Sequence, residues 1–233
     1  MTPKQLLITI ICCIGSLVNA QEKATHLSGT VNIDLPDNQI TASYKLSNIK
    51  VDNPKMSFLL NEEFDVDQVY LNGAPIASSK NGRYCADCKV HTIWIDRPIT
   101  PQDIITVDVT GEYESYSKKD LKKNLDAQIV KSPNLFIAKE RSKWYPVIMD
   151  NVPEKARHQK KQAYTYALKV NCISCKEVSI ANGTPQSSGS LFTSDTPTES
   201  ITIMAGNLDR TQSDANALKN TSSQIVSARG IER

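Results

Sequence analysis

Apolar residues in this chain recur at every second position, and that period limits what it can fold into more than any other feature. Val31, Ile33 and Leu35 alternate with polar neighbours, and after the break Pro36-Asp37-Asn38 the residues Ile40, Ala42, Tyr44 and Leu46 resume the pattern. Side chains of an extended strand point to opposite faces in turn. A two-residue period therefore marks strands with one buried face, and the Pro-Asp-Asn break joins two of them as an antiparallel pair. Met56, Phe58 and Leu60 mark a third strand, and VDQVYLNG at 66–73 a fourth that ends in an Asn-Gly turn signal. HTIWID, IITVDVTGEY, YTYALKV, EVSIANG and ESITIMAG continue the series, while the Ser, Gly, Thr and Pro cluster of 184–198 reads as a loop. Only SYSKKDLKKNLDAQIV, 115–130, offers a helical alternative, and it lies between strands. About ten short strands broken by turn chemistry predict an all-β fold, a β-sandwich or a pair of curved, saddle-like antiparallel sheets.

The two ends depart from this pattern. Lys4 precedes an apolar run from Leu6 to Val18, closed by the small-residue pattern Val18-Asn19-Ala20, which predicts a cleaved secretory signal peptide over residues 1–20. The run is shorter than the roughly 20 apolar residues a bilayer span requires, and nothing later in the chain is apolar enough to span a membrane. The expected product is exported, periplasmic or secreted, with one β domain over 21–206. Over 207–233 alternation ceases and large apolar residues are few, so the expectation there is a tail, irregular or a short surface helix. Loss of Lys4 leaves 26 of the 27 basic residues against 25 acidic ones. Such a balance lacks the excess positive charge that gives affinity for nucleic acid. The basic clusters KKDLKK, 118–123, and KARHQKK, 155–161, read as solvated loops.

Removal of residues 1–20 also removes Cys12 and Cys13, leaving Cys85, Cys88, Cys172 and Cys175 in two C-x-x-C pairs. An even count in an exported chain favours disulfides, in any of three connectivities. Closure within each pair makes small rings that stabilise less than the roughly 2–4 kcal/mol of longer loops, whereas cross-pairing ties distant strands. One structural zinc held by both pairs is the alternative cofactor reading, because two C-x-x-C turns can wrap a tetrahedral ion. Thiol redox chemistry is the third, and it calls for a pair at a helix start, where the thiol pKa falls. Here Cys85 and Cys88 precede a strand and Cys172 and Cys175 follow one.

The segment NLFIAKERSKWYPVIMD, 134–150, followed by QAYTYALKVN and EVSIANG, resembles the amino-terminal domain of aminopeptidase N type zinc metallopeptidases. The matching pieces are an aromatic-Pro element (Trp144, Tyr145, Pro146), a strand of alternating aromatic and aliphatic residues (Tyr164, Tyr166, Leu168, Val170) and a strand ending in Asn182-Gly183. Upstream, VYLNG and WIDRPITPQDIITVDVTGEY look like the family's paired strands, so the resemblance extends over roughly 26–206. It implies that an acidic residue shortly before the aromatic-Pro element binds the free amine of a substrate, and Glu140 is the acidic residue at about that place. Read on its own, Glu140 beside Arg141 and Lys143 is a surface ion pair. The aromatic-Pro element, on the same terms, is core: two large rings to bury and a proline to fix the turn.

A zinc peptidase of this kind needs H-E-x-x-H, two histidines on one helical face with a glutamate to activate water. The sequence has no such motif and no G-x-M-E-N, and its three histidines, His26, His91 and His158, lie far apart. His91 opens a strand near Cys88 and reads as a hydrogen-bonded or exposed strand histidine rather than a metal ligand; His26 and His158 read as exposed. No G-x-S-x-G elbow suggests a serine nucleophile either. The expectation is a non-catalytic module that binds peptide or another envelope protein through strand edges and loops. Its rival is the front part of a zinc aminopeptidase whose catalytic domain is missing or separately encoded.

Overall fold

The computed structural model describes residues 24–49, 51, 54–85, 87–113, 129–132, 134–149, 162–186 and 189–207. These residues form β1 (Thr25–Asp34), β2 (Gln39–Ser47), β3 (Lys55–Asn61), β4 (Phe64–Leu71), β5 (Ala74–Ile76), β6 (Ser78–Cys85), β7 (Cys88–Trp94) and β8 (Ile105–Glu112). The second half holds β9 (Ile129–Ser132), β10 (Leu135–Ala138), β11 (Val147–Met149), β12 (Tyr164–Ile173), β13 (Glu177–Ile180), β14 (Thr184–Pro185), β15 (Leu191–Thr198) and β16 (Ile203–Gly206). A single 3-10 turn, Glu140–Ser142, is the only helical element among the described residues. The all-β expectation is therefore met, with three open sheets and no closed barrel. An eight-stranded sheet runs β14-β15-β12-β1-β2-β8-β4-β5, and two four-stranded sheets run β13-β16-β10-β9 and β11-β3-β7-β6.

Register turns the alternation into a core. Val31 lies opposite Ala42 and Ala42 opposite Val109, while Ile33 faces Ile40 and Leu46 faces Ile105, so buried rows cross β1, β2 and β8 at right angles to the strands. Gly29 sits in the same sheet at φ 149°, where a Cβ would collide with the Ser43 carbonyl, so a side chain is excluded there. The Asn-Gly signal makes the β4–β5 hairpin, with φ positive at both Asn72 and Gly73. Nearby, Asp103 closes the loop before β8. Its carboxylate accepts from both Arg97 guanidinium nitrogens at 2.7 and 2.6 Å, from the Thr100 amide at 2.8 Å and from the Asn72 amide at 2.8 Å. The Arg97 bonds, helped by Thr100 and Asn72, hold the Asp103 carboxyl far below the usual carboxylate range.

Most buried side chains belong to one core between the sheets. A smaller cluster of Leu59, Cys88, Val90 and Met149 lies apart from it. Phe58 and Leu60 join the main core while Leu59, between them, joins the small one, so β3 is apolar on both faces.

Two features differ from the sequence reading. Residues 184–198, read as a loop, contain β14 and all of β15, because β15 pairs along β12 despite its Ser, Asp, Thr and Pro content. Only Phe192 of β15 is fully buried, so the strand follows from its neighbour rather than from its own pattern. The second is β1 against β12, a parallel pair in a fold expected to be antiparallel. The signal segment, most of the 115–130 helical alternative, both basic clusters and the tail beyond Asn207 lie outside the described residues; Ile129–Ser132, at the end of that alternative, is β9.

Candidate functional site

The chain leaves β10 at Lys139 and makes one 3-10 turn before the aromatic-Pro element. Lys143 ends the turn in the left-handed region, φ 56°, with its amide donating to the Glu140 carbonyl at 3.0 Å. The Ser142 hydroxyl donates back to the Lys139 carbonyl at 2.6 Å. From β3, Asn61 fixes the turn a second time: its backbone amide donates to Lys143 O and its side-chain amide to Ser142 O, both at 2.8 Å. Buried polar atoms are thus paired on every side of the turn, which holds Glu140 at a set place.

Beyond the turn the rings stack edge to face. Tyr44 meets Trp144 at 6.3 Å, Trp144 meets Tyr145 at 5.1 Å, and Tyr145 meets Tyr164 at 5.8 Å between centroids. Each polar handle has a partner: Tyr44 Oη donates to Trp144 O at 2.8 Å, Trp144 Nε1 to Ile201 O at 2.9 Å, and Tyr164 Oη accepts from the Ile148 amide and donates to Gln162 Oε1, both at 3.0 Å. The core reading of Trp144 and Tyr145 is correct, since both are essentially without solvent exposure. Burial, then the proximity of Tyr164 and Glu140, pushes the Tyr145 phenol well above its ordinary value, so it stays protonated.

Between turn and rings lies a groove of about 210 Å³, lined by Leu59, Glu140, Arg141, Lys143, Tyr145, Val147, Ile148, Gln162, Tyr164 and Glu199. Within it, Lys143 Nζ donates to Glu140 Oε1 at 2.6 Å, with both side chains largely covered. The local reading of Glu140 is thereby resolved: its ion pair is with Lys143, inside a groove rather than on open surface. A carboxylate already matched by a neighbouring ammonium can accept another amine only by exchange with it. The groove therefore sets a paired carboxylate beside tyrosine rings and aliphatic side chains.

The cysteines do not meet at this groove. Each C-x-x-C closes on itself, Cys85 with Cys88 at the β6–β7 hairpin and Cys172 with Cys175 between β12 and β13, with Cα separations of 5.0 and 5.6 Å. The two pairs belong to different sheets. No group of three or more His, Cys, Asp or Glu side chains is placed to hold a metal ion among the described residues. His91, expected to be hydrogen-bonded or exposed, is instead 2% exposed and stacks on Phe58 at 5.4 Å, and its Nε2 has no hydrogen-bond partner among the described residues. Burial, with Lys80 adding to it, pushes the imidazole down to about 4. His26, expected to be exposed, is half-buried and pairs through Nδ1 with the Thr165 hydroxyl at 2.9 Å; His158 lies outside the described residues. Sequence reasoning named Glu140 and its basic neighbours but missed Asn61, Gln162 and Glu199, which arrive from distant segments without a motif.

No family model matches the sequence, and no curated protein does either. Solved structures do. An M1 zinc metallopeptidase from Deinococcus radiodurans, bound to Tyr-Ser-Ala, superposes with a TM-score of 0.52 at 13% identity over 82% of this chain and 44% of that one. Leukotriene A4 hydrolase from Saccharomyces cerevisiae superposes with a TM-score of 0.53 at 11% identity over 80% of this chain and 29% of that one. The fold is that of the amino-terminal β domain of such peptidases, and the chain spans less than half the length of either structure.

Proposed function

With that shared fold as the premise, we propose that the chain is an exported, non-catalytic binding module that receives a peptide or an envelope protein at the Glu140 groove. The observation that carries this reading is the groove itself, a carboxylate held in place by Asn61 contacts to its turn and flanked by Tyr145 and Tyr164. It stands in a sequence without H-E-x-x-H or G-x-M-E-N. An amine-bearing peptide fits because its ammonium takes the place of Lys143 against Glu140 while its first side chain lies on the tyrosine wall. Calorimetric titration with short peptides tests this: binding by the wild type that is lost in Glu140→Gln, and lost on acetylating the peptide amine, supports it. Hydrolysis of an aminoacyl substrate that chelation abolishes overturns the non-catalytic reading.

A second reading is that this chain works with a catalytic polypeptide encoded separately or continuing beyond it. The match to only 29–44% of the superposed structures favours it. Inspection of the adjoining reading frames for H-E-x-x-H, and co-purification of any product found, supports or removes this reading. The four cysteines are proposed to be two local disulfides rather than zinc ligands. Intact mass four protons below the reduced value supports that, and four free thiols with bound zinc refute it. Export predicts a mature product that begins at Gln21 outside the cytoplasm, which amino-terminal sequencing of the fractionated protein checks.

A further inference from the structure

Four local supports already hold the chain where it passes from β12 into β13. Asn207 clamps this corner twice, its amide donating to Ser174 O at 3.1 Å and its Oδ1 accepting the Lys176 amide at 3.1 Å. On one side β12 is paired with β1 through Cys172 and Ile173, and on the other β13 is paired with β16. A disulfide across four residues adds little to such a corner, because a loop this short removes little entropy from the unfolded chain. Its surroundings suit a different task. Cys172 and Cys175 are half-buried beside Ile173, which is 58% exposed, and each sulfur lies near the Ile173 carbonyl oxygen, at 3.7 and 3.8 Å. A reduced pair finds an acceptor for its S–H groups already in place.

The other disulfide differs at one sulfur: Cys85 is half-buried, as Cys172 and Cys175 are at the edge of the main core, but its partner is closed off. Cys88 is fully buried in the small cluster with Leu59, Val90 and Met149. An attack on Cys85 must expel Cys88 as a thiolate into apolar surroundings, where its pKa is raised and it leaves slowly.

We propose that Cys172–Cys175 is a reversible thiol–disulfide exchange site for a dithiol, while Cys85–Cys88 is a closed structural link. One thiolate of the dithiol attacks one sulfur of the corner pair; the S–S bond breaks, and the other sulfur departs as a thiolate that takes a proton from water. The second thiol of the reagent then attacks the mixed disulfide. The protein is left with two thiols and the reagent with a disulfide, two electrons having passed from reagent to protein.

The test uses the full chain in its folded state. Dithiothreitol is the probe, thiols are trapped by alkylation at intervals and located by peptide mass spectrometry, and near-ultraviolet circular dichroism follows the fold. Alkylation of Cys172 and Cys175 at least about tenfold faster than that of Cys85 and Cys88, with an unchanged spectrum, is the expected result. In Cys172→Ser and in Cys175→Ser the remaining thiol should form a mixed disulfide with oxidised glutathione, releasing one glutathione. The double variant C172S/C175S should melt within about 3 °C of the wild type. Equal reduction rates for the two pairs, corner thiols that appear only as the fold is lost, or a double variant that melts far lower would each make the corner pair a staple and overturn the proposal.

Discussion

At the β6–β7 hairpin one sulfur of the C-x-x-C turn, Cys88, is sealed into an apolar cluster, whereas at the β12–β13 corner both sulfurs are half-buried at the edge of the main core, on a backbone that Asn207 already holds. The spacing fixes only that two sulfurs can meet. What the bond contributes depends on what else supports the turn and on where a departing thiolate would have to go. β6 is polar, largely exposed and interrupted by two register shifts against β7, and its turn is held from outside by Glu62, whose amide donates to Asp87 O at 2.9 Å and whose carboxylate pairs with Arg83 at 2.6 Å, while β7 pairs with β3. The corner is braced by strands in two sheets.

The largest break in this contrast comes from replacing the hairpin pair. C85S/C88S should lose about 3 kcal/mol in urea unfolding, because it opens the ring and leaves a hydroxyl in the small cluster. The corresponding change at the corner should lose less than about 1 kcal/mol; equal losses would erase the distinction.

Acid should act on the hairpin side next. His91 lies on β7 with a folded pKa of about 4, below its ordinary 6.5. Above pH 6.5 neither state of the chain is protonated there and stability is full. Between 6.5 and about 4 the unfolded chain takes up a proton that the folded chain refuses, so stability falls, by roughly 1–2 kcal/mol once solvent screening is allowed for. His91→Phe should flatten the pH dependence of the urea midpoint over that window while keeping the ring on Phe58. Asp103 works lower. Its folded pKa is depressed, so its contribution is present above the ordinary value of 3.8 and drains away as pH falls below it. Asp103→Asn should remove that second phase and leave the first untouched.

Asn207→Ala should cost about 1 kcal/mol in the oxidised protein, through two lost hydrogen bonds, and more when the corner disulfide is reduced. Amide exchange at Glu177–Ile180 reads this locally, and an effect independent of redox state would show that the two supports are not alternatives. The smallest change is Glu140→Gln, which breaks the ion pair with Lys143 and should shift stability by under about 1 kcal/mol while leaving both C-x-x-C turns unaltered.

Much of this architecture is written locally and some is not. Val31, Ile33, Ile40 and Tyr44 announce their strands because one face of each is buried, and Asn72-Gly73 announces its hairpin because both residues tolerate positive φ. β6 and β15 are nearly silent: SSKNGRYC and LFTSDTPT lie at sheet margins, where the partner supplies the ladder and solvent accepts either type of side chain. At the groove, Lys143 is legible as the partner of Glu140 because three residues separate them across one turn. Asn61 is not, since its contact with Ser142 joins positions 81 apart, and a local pattern carries no information about which distant strand will lie alongside. The same reason hides the parallel neighbour of β1.

That neighbour has a consequence in time. Thr25–Asp34 fills the middle of the widest sheet, yet the strand beside it is 139 residues away in the chain. A ribosome must deliver Ile173 before this seam can zip in full, and in every intermediate that lacks β12 the strand destined for the middle is an edge with a bare ladder of amides and carbonyls. Until then that exposed edge is open to pairing with the wrong strand, in this chain or in a second copy.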